Sequence, residues 1–273
     1  MLDSIKNPYI AEDRVPRMRK SIVAFIDILG FKALISGSEA EDALVKVKEA
    51  IGVSSKRLKK VYPTINDCDA WVVKMFSDNV AIGFPVIIRD EGIAEMGIIC
   101  SRLEEFQYRM ISHGFFVRGA VEIGELYMDD EIVFGKALLD AYEAEKSSAV
   151  NPRIILGPTA KKEVKRFIDK FGYTHSPGYL TDTDSHLFLN YLDSVVLEFK
   201  EECGRDLKKL FIHKEQVESK LHEFSNKPSV LSKYAWTANY HNYFCDLNRF
   251  DPKYKVDSAS LQDFLTEPPR FGV

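Results

Sequence analysis

The sequence predicts an α+β protein with a ferredoxin-like fold and a C-terminal helical elaboration. Short apolar runs alternate with amphipathic stretches in the order β-α-β-β-α-β, and a further α-β pair follows. The two middle strand candidates are separated by only a few residues, which is typical of a hairpin. With 273 residues the chain is long enough for one substantial core. We therefore expect an antiparallel sheet with helices packed on one face.

The first half of the chain supplies the first three strands. SIVAFI, within residues 21–27, is a short apolar run that ends at a glycine-containing turn and predicts a buried strand. Residues 39–61 carry an apolar stripe at helical spacing. WVVKMF (71–76) and VAIGFP (80–85) predict two strands joined through Ser77-Asp78-Asn79.

The second half continues the alternation and then becomes helical. The predicted elements are a helix over 91–113, a long strand or pair of strands over 115–128, a helix from about 136 to 146, a strand over 153–156 and a helix near 158–170. Residues 171–186 are rich in turn formers and predict a loop, and 187–192 could add a strand. Residues 205–248 predict a helical hairpin broken at 226–229.

Composition narrows the classes of function. A net charge of −4 and a sequence pI near 5.9 argue against nucleic-acid and anionic-membrane partners, which require a basic face. No stretch approaches the ~20 apolar residues of a membrane span, and the N-terminus has no apolar core typical of a signal peptide. Cys68, Cys100, Cys203 and Cys245 are far apart, which predicts reduced structural thiols in a cytoplasmic protein.

Two aspartates are candidates for chemistry. Asp27 ends the first strand, and Asp78 lies at the tip of the next hairpin. These elements are neighbours in a ferredoxin-like sheet, so both carboxylates could converge at one edge and bind Mg²⁺ or Mn²⁺. The alternative is purely structural, because an aspartate after a strand is often a helix cap and one in a hairpin is often a turn former.

Two basic residues lie inside strand candidates. Lys74 could extend past a sheet edge into solvent, or it could donate a hydrogen bond in a polar pocket. Arg118 could be a solvated strand residue or a fork that binds phosphate. The residues alone leave both choices open.

Four segments together resemble a known family. FIDILGF (25–31), KMFSD (74–78), RGAVEIG (118–124) and FGKALLDAYEAE (134–145) are similar, in order and spacing, to the blocks of class III nucleotidyl cyclases. Those blocks read roughly F-x-D-I-x-G-F, K-x-x-G-D, R-x-G-I-x-x-G and W-G-x-x-V-N-x-A. The resemblance covers about residues 20–160. The residues of the second and fourth segments look most like those of the pyrimidine cyclases of the bacterial Pycsar anti-phage system.

The resemblance implies roles for individual residues. Asp27 and Asp78 match the two metal-binding aspartates, and Ile28 would add its backbone carbonyl, so that two Mn²⁺ or Mg²⁺ ions are held in each active site. The backbone N–H groups of Leu29, Gly30 and Phe31 would cradle the triphosphate.

Base recognition departs from the adenylyl pattern. Lys74 matches the base-selecting lysine, but its partner acid would fall at Ile132, which cannot hydrogen bond through its side chain. A lone ammonium donor fits uracil O4 better than the amino group of cytosine, which favours UTP over CTP.

The transition-state residues also depart from the family. Its asparagine and arginine would fall at Leu139 and Glu143, and neither side chain fits that role. Arg118 or another basic residue would have to supply the positive charge. Because of this departure, the alternative that the chain is a catalytically silent nucleotide-binding homologue stays open. A diguanylate cyclase is disfavoured because the hairpin tip lacks G-G-[DE]-E-F.

These expectations define a function. The chain would convert UTP to 3′,5′-cyclic UMP and pyrophosphate as a second messenger in anti-phage defence, read by a separate effector; cyclisation of CTP is the alternative. Because class III cyclases complete their sites across two subunits, the resemblance implies a homodimer. The expected division is an N-terminal extension (1–20), a catalytic domain (21–200) and a C-terminal helical extension (201–273).

Overall fold

The structure is a computed structural model that describes residues 7–10, 13, 15–36, 40–58, 71–86, 93–171, 178–194 and 207–257. Its strands are β1 (Arg19–Ile28), β2 (Val72–Phe76), β3 (Asn79–Pro85), β4 (Val117–Met128), β5 (Val133–Phe134), β6 (Ile154–Leu156), β7 (Tyr179–Thr181) and β8 (Leu187–Leu189). Its helices are α1 (Phe31–Ser36), α2 (Ala40–Leu58), α3 (Ile93–Ser112), α4 (Lys136–Ser148), α5 (Pro158–Phe171), α6 (Lys208–Glu223) and α7 (Pro228–Leu247). A 3₁₀ turn (Pro252–Tyr254) follows α7.

The sheet has the predicted ferredoxin-like core. Its strand order is β2-β3-β1-β4-β6-β8-β7, with β5 paired to the end of β4. β1 runs antiparallel to both β3 and β4, and β2 is antiparallel to β3, which is the arrangement of a split β-α-β unit. β6 then extends the sheet in parallel with β4. The fold-class prediction is confirmed.

The expectation that helices cover one face is wrong. Ile22, Ala24 and Ile26 on β1 pack in the core that includes α2, α3 and α5. On the second face, Val23 packs with Ala137 of α4, while Phe116, the residue before β4, lies 5.0 Å, between ring centroids, from Tyr234 of α7. A strand covered on both sides has no solvent face to mark with polar residues, so β1 is a continuous apolar run.

Local sequence signals missed several short elements. The turn after β1 contains α1, and β5 pairs with β4 over only two residues, too few for a periodic strand pattern. β7 lies inside 171–186, where the prediction of loop is wrong, while 172–177 lie outside the described residues. β8 confirms the suggested strand over three residues only. These strands form because neighbouring strands and buried packing stabilise them.

The predicted C-terminal hairpin is confirmed, and it shares a core with the sheet. α6 and α7 are separated by a break at the predicted position, and Pro228 occupies the first turn of α7. Trp236 packs against Phe188 of β8 at 5.5 Å between ring centroids and donates its indole N–H to Asp182. This helical pair is therefore anchored directly on the sheet.

The N-terminal boundary and the thiols are also defined in part. Tyr9 is fully buried and donates to the Ser21 hydroxyl over 3.0 Å, so part of segment 1–20 belongs to the core. Cys100 and Cys245 are free, buried thiols, whereas Cys68 and Cys203 lie outside the described residues. Residues 195–206 and 258–273 of the predicted domains lie outside them as well. Among the described helices, none is long and apolar enough to cross a membrane.

Candidate active site

The two aspartates lie side by side at one end of the sheet. β1 ends just beyond Asp27, and the Ile28 N–H donates to the Asp78 carbonyl over 2.9 Å. In the antiparallel register Asp27 is opposite Asn79, the residue after Asp78, and Asn79 donates its side-chain amide to Asp78 Oδ1. The hairpin tip needs only Ser77 and Asp78, and Ser77 adopts a φ of 58°. The structure thus brings Asp27 and Asp78 together.

Arg118 lies on β4 directly opposite Asp27. Its Nε donates to Asp27 Oδ2 over 2.9 Å, and one terminal nitrogen donates to the Ala149 carbonyl over 3.3 Å. Nε also lies 2.9 Å from Oε1 of Glu145, although this second contact lacks the alignment of a hydrogen bond. A side chain with these three neighbours is held in one position, so Arg118 is not a freely solvated strand residue.

Glu145 is a site residue that the sequence analysis missed. It lies on α4 with only 4% of its surface exposed, and Oε1 receives no hydrogen bond within the described structure. Burial raises the pKa of its carboxyl, and the charges of Asp27 and Asp78 raise it further, while Arg118 opposes the shift. A signal was present, since Ala137, Ala141 and Glu145 recur at four-residue spacing on the buried face of α4.

Lys233 is a second missed residue, and it comes from α7. Its side chain is half-buried. Burial lowers the pKa of the Lys233 ammonium, the positive charge of Arg118 lowers it further, and Asp27 and Glu145 act in the opposite direction. The C-terminal helix therefore brings a cation to the site. No local pattern in the sequence indicated this, because the contact joins distant parts of the chain.

The turn after β1 fits the predicted phosphate cradle only in part. Leu29 donates its N–H to the Phe116 carbonyl over 2.9 Å, so this amide fastens β1 to β4 and is not available to a ligand. The N–H groups of Gly30 and Phe31 have no acceptor among the described residues. Gly30 has a φ of 78°, a left-handed conformation that glycine adopts without strain.

Lys74 lies on the same face of the sheet as Asp27. Lys74 on β2 is opposite Ala81 on β3, and Ala81 is opposite Phe25 on β1. Directly opposed residues share a face, and Phe25 is two residues before Asp27, so all of them face the same side. Ile132, where the partner acid would fall, is 54% exposed. The acid that Lys74 affects is Asp129. Its pKa is lowered first by the hydroxyl hydrogen bond from Tyr127, then by backbone amides, and also by the charge of Lys74.

Leu139 and Glu143 lie on the exposed side of α4, and Leu139 is 61% exposed. The structure does not bring either of them to the Asp27 carboxylate. Other large apolar side chains are also exposed near this face, including Phe76 at 50% and Tyr142 at 40%, and both rings contact Phe25. The outer surface beside the site is therefore apolar.

The donor set suits a hard divalent cation. Asp27 and Asp78 supply carboxylate oxygens, and Asp27 Oδ1 receives no hydrogen bond from the described part of the chain. Glu145 adds a buried oxygen that receives no hydrogen bond from the residues that the structure describes. Oxygen donors of this kind are the ligands that Mg²⁺ and Mn²⁺ prefer. Within the described ranges, no three Asp, Glu, His or Cys side chains already form a closed metal cluster.

Comparisons with known proteins add little to this geometry. No protein-family model matches the chain, and no curated protein matches it significantly. Among solved structures, the adenylyl cyclase CyaB from Pseudomonas aeruginosa is 14% identical with a TM-score of 0.48, over 63% of this chain and 94% of that one. A class III adenylyl cyclase-like ATP-binding protein from the same organism is 10% identical with a TM-score of 0.40, over 58% of this chain and 39% of that one. The fold assignment rests on the strand order described above.

Proposed function

We propose that the chain is a nucleotidyl cyclase that converts UTP to 3′,5′-cyclic UMP and pyrophosphate. The observation that carries this proposal is the convergence of Asp27, Asp78 and Arg118 at one end of a ferredoxin-like sheet. The family resemblance assigns metal binding to Asp27 and Asp78, and Arg118 is the candidate for the positive charge that Leu139 and Glu143 do not supply.

The reaction needs positive charge and positioning more than covalent chemistry. O3′ of the ribose attacks the α-phosphorus, the bond from that phosphorus to the bridging oxygen breaks, pyrophosphate leaves, and the hydroxyl proton is released to water. Two Mg²⁺ or Mn²⁺ ions bound by Asp27, Asp78 and the Ile28 carbonyl would supply Lewis-acid stabilisation. Arg118 lies beside this position, and a fixed guanidinium there would stabilise charge that develops on the phosphate oxygens.

The proposed base is uracil, with cytosine as the second candidate. Lys74 can donate to O4 of uracil from the face that Asp27 shares. Asp129 favours the alternative, because a carboxylate near Lys74 could accept from the amino group of cytosine. Asp129 already accepts from the Tyr127 hydroxyl and from the backbone amides of Glu131 and Ile132, and most of its capacity is used. This engagement supports UTP.

The biological setting is also a proposal. The Pycsar-like wording of the motifs supports a second-messenger role in anti-phage defence, with a separate effector that responds to the cyclic nucleotide, and a cytoplasmic location. A homodimer with sites at its interface is supported by the exposed side chains of Phe76 and Tyr142 beside the site, and by Leu139, which is exposed on α4.

Product analysis tests the proposal. Purified protein is incubated with each of the four ribonucleoside triphosphates and Mn²⁺, and the products are separated by chromatography against cyclic nucleotide standards. We expect cyclic UMP from the wild type and no product from Asp27→Ala or Asp78→Ala. Asp251→Ala is the matched control, since this aspartate lies at the exposed 3₁₀ turn and should leave turnover unchanged.

The other outcomes separate the alternatives. Cyclic CMP as the main product would select the cytidylate cyclase, and cyclic AMP would overturn the pyrimidine proposal. Nucleotide binding with no cyclic product from any triphosphate would identify the silent homologue, for which the exposed Leu139 and Glu143 are the motivating observation.

A further inference from the structure

Lys233 is a half-buried cation beside the candidate active site. It lies on α7, more than a hundred residues beyond the segments that resemble a cyclase at 25–31, 74–78 and 118–124. Arg118, Asp27 and Glu145 all act on its ammonium group electrostatically. Within the described residues, however, the ammonium takes part in no hydrogen bond and no ion pair.

The position of Lys233 is fixed by its neighbours on α7. Tyr234 is buried between two rings: Phe116 lies 5.0 Å away edge-on, and Phe224 is stacked at 5.4 Å, both between ring centroids. Phe116 directly precedes β4 and lies two residues before Arg118, and its carbonyl accepts from Leu29 at the end of β1. The Thr237 hydroxyl donates to the Lys233 carbonyl over 3.1 Å within the helix. This packing holds the Lys233 backbone beside the Arg118 end of the site.

Lys233 adds to this site a cation whose ammonium group has no partner among the described residues. Asp27, Asp78 and Glu145 are acidic, and the guanidinium of Arg118 is already occupied by Asp27, Glu145 and the Ala149 carbonyl. A half-buried ammonium without a hydrogen-bond partner is unfavourable, because burial removes water and nothing replaces it. An anionic oxygen at this point would satisfy the ammonium and form a charge-assisted hydrogen bond.

We infer that Lys233 is a substrate-binding residue that contacts the phosphate chain of the nucleotide. The inference deepens the proposed function and rests on the nucleotide being bound at Asp27 and Asp78. It assigns to the C-terminal helix a direct part in the active site, in a chain whose Leu139 and Glu143 supply no positive charge. Arg118 and Lys233 would then act together, one fixed by carboxylates and the other free for phosphate oxygens.

Binding measurements with two probes test this role. The first probe is 3′-deoxy-UTP, which lacks the attacking hydroxyl, and the second is inorganic tripolyphosphate, which lacks the nucleoside. Both are titrated calorimetrically into the full-length protein with and without Mg²⁺. We expect Lys233→Met to bind each probe about tenfold to a hundredfold more weakly than the wild type, the range for one charge-assisted hydrogen bond. Lys233→Arg should recover part of the affinity.

The matched control is Lys227→Met. Lys227 precedes α7, is exposed, and lies over the Phe224 ring at 5.6 Å without capping the helix through its side chain. The Lys227→Met variant loses the same charge from the same helical pair and should bind both probes like the wild type. Thermal unfolding confirms that each variant is folded, and Lys233→Arg carries the test if Lys233→Met is not.

Each outcome decides the inference separately from the proposed function. Wild-type affinity in Lys233→Met, an equal loss in Lys227→Met, or no binding of either probe to the wild type would overturn the role of Lys233. A general charge-balancing role predicts a changed unfolding temperature in Lys233→Met with unchanged affinity for tripolyphosphate, and this result would also overturn it. If the wild type makes no cyclic product, the proposed function fails, while the tripolyphosphate titration still decides on Lys233.

Discussion

Two polar clusters, one partly buried at the candidate site and one fully inside the protein, differ in how fully their hydrogen bonds are satisfied. The site cluster consists of Asp27, Asp78, Arg118, Glu145 and Lys233, where a buried glutamate oxygen and a half-buried ammonium lack hydrogen-bond partners within the described structure. The histidine cluster consists of Tyr191, His213, His241 and the Tyr254 carbonyl, which link α6 and α7 to the sheet. Both clusters combine residues from distant parts of the chain.

The histidine cluster satisfies all of its ring nitrogens. His241 Nε2 donates to the Tyr254 carbonyl over 2.8 Å, so its Nδ1 is the acceptor for His213 Nδ1 at 2.9 Å. His213 Nε2 is then free to accept from the Tyr191 hydroxyl, also at 2.9 Å. The chain of bonds closes with both rings neutral. A fully bonded cluster stabilises the fold, whereas unpaired charges at the site indicate that a ligand is expected there.

The largest expected effect is the loss of stability when acid protonates the histidine cluster. Burial lowers the pKa of His241 from 6.5 to about 4, and burial also lowers the pKa of His213 well below its usual value. The unfolded chain therefore binds more protons below pH 6.5, and stability is lost as pH falls from about 6.5 towards 4. For His241 alone the loss approaches about 3 kcal/mol.

Urea unfolding followed at several pH values measures this loss. His241→Gln should be less stable at pH 7 but should show a flatter dependence between pH 6.5 and 4. His222→Gln is the control, since His222 is exposed on α6 and should leave the profile unchanged. A His241→Gln profile as steep as that of the wild type would show that other groups dominate acid unfolding.

At the site cluster, Glu145→Gln should separate activity from stability. The change removes a buried charge and weakens the contact that helps to orient Arg118, so we expect kcat to fall roughly tenfold or more. Stability should be unchanged or slightly higher, because a neutral amide is easier to bury than a carboxylate.

Steady-state cyclase kinetics and thermal unfolding measure the two effects of Glu145→Gln. Glu143→Gln, two residues earlier and exposed on the same helix, is the control and should change neither. An equal loss of stability and activity in Glu145→Gln would make Glu145 a structural residue like the histidines.

The smallest expected effect is at the turn after β1. Gly30→Ala places a side chain at a φ of 78°, although no atom lies within 4 Å of the added methyl group. The strain should lower the free energy of unfolding by about 1 kcal/mol. Urea unfolding measures it, and Gly52→Ala on α2, which has an ordinary φ and the same open space, should be neutral or stabilising. A loss equal in both variants would show that backbone conformation at Gly30 is not the cause.

The sequence indicated those parts of the site that depend on local pattern. Asp27 comes at the end of a continuous apolar run, and Asp78 lies in the turn of a hairpin. The sequence therefore predicts both at one end of the sheet. Arg118 was named with its strand, although its partners were not. β7 and Asp129 were missed because a short strand and a turn acid carry the same local signals as any loop.

The sequence by itself determined the ferredoxin-like strand order and the pair of aspartates, because periodicity and turn residues act over a few positions and are visible in the chain. Tertiary structure alone decided that α4 and α7 cover the second face, that Glu145 holds Arg118, and that Lys233 reaches the site. The reason is physical. These contacts join segments far apart in sequence, and their charge, burial and orientation exist only once the helices pack on the sheet.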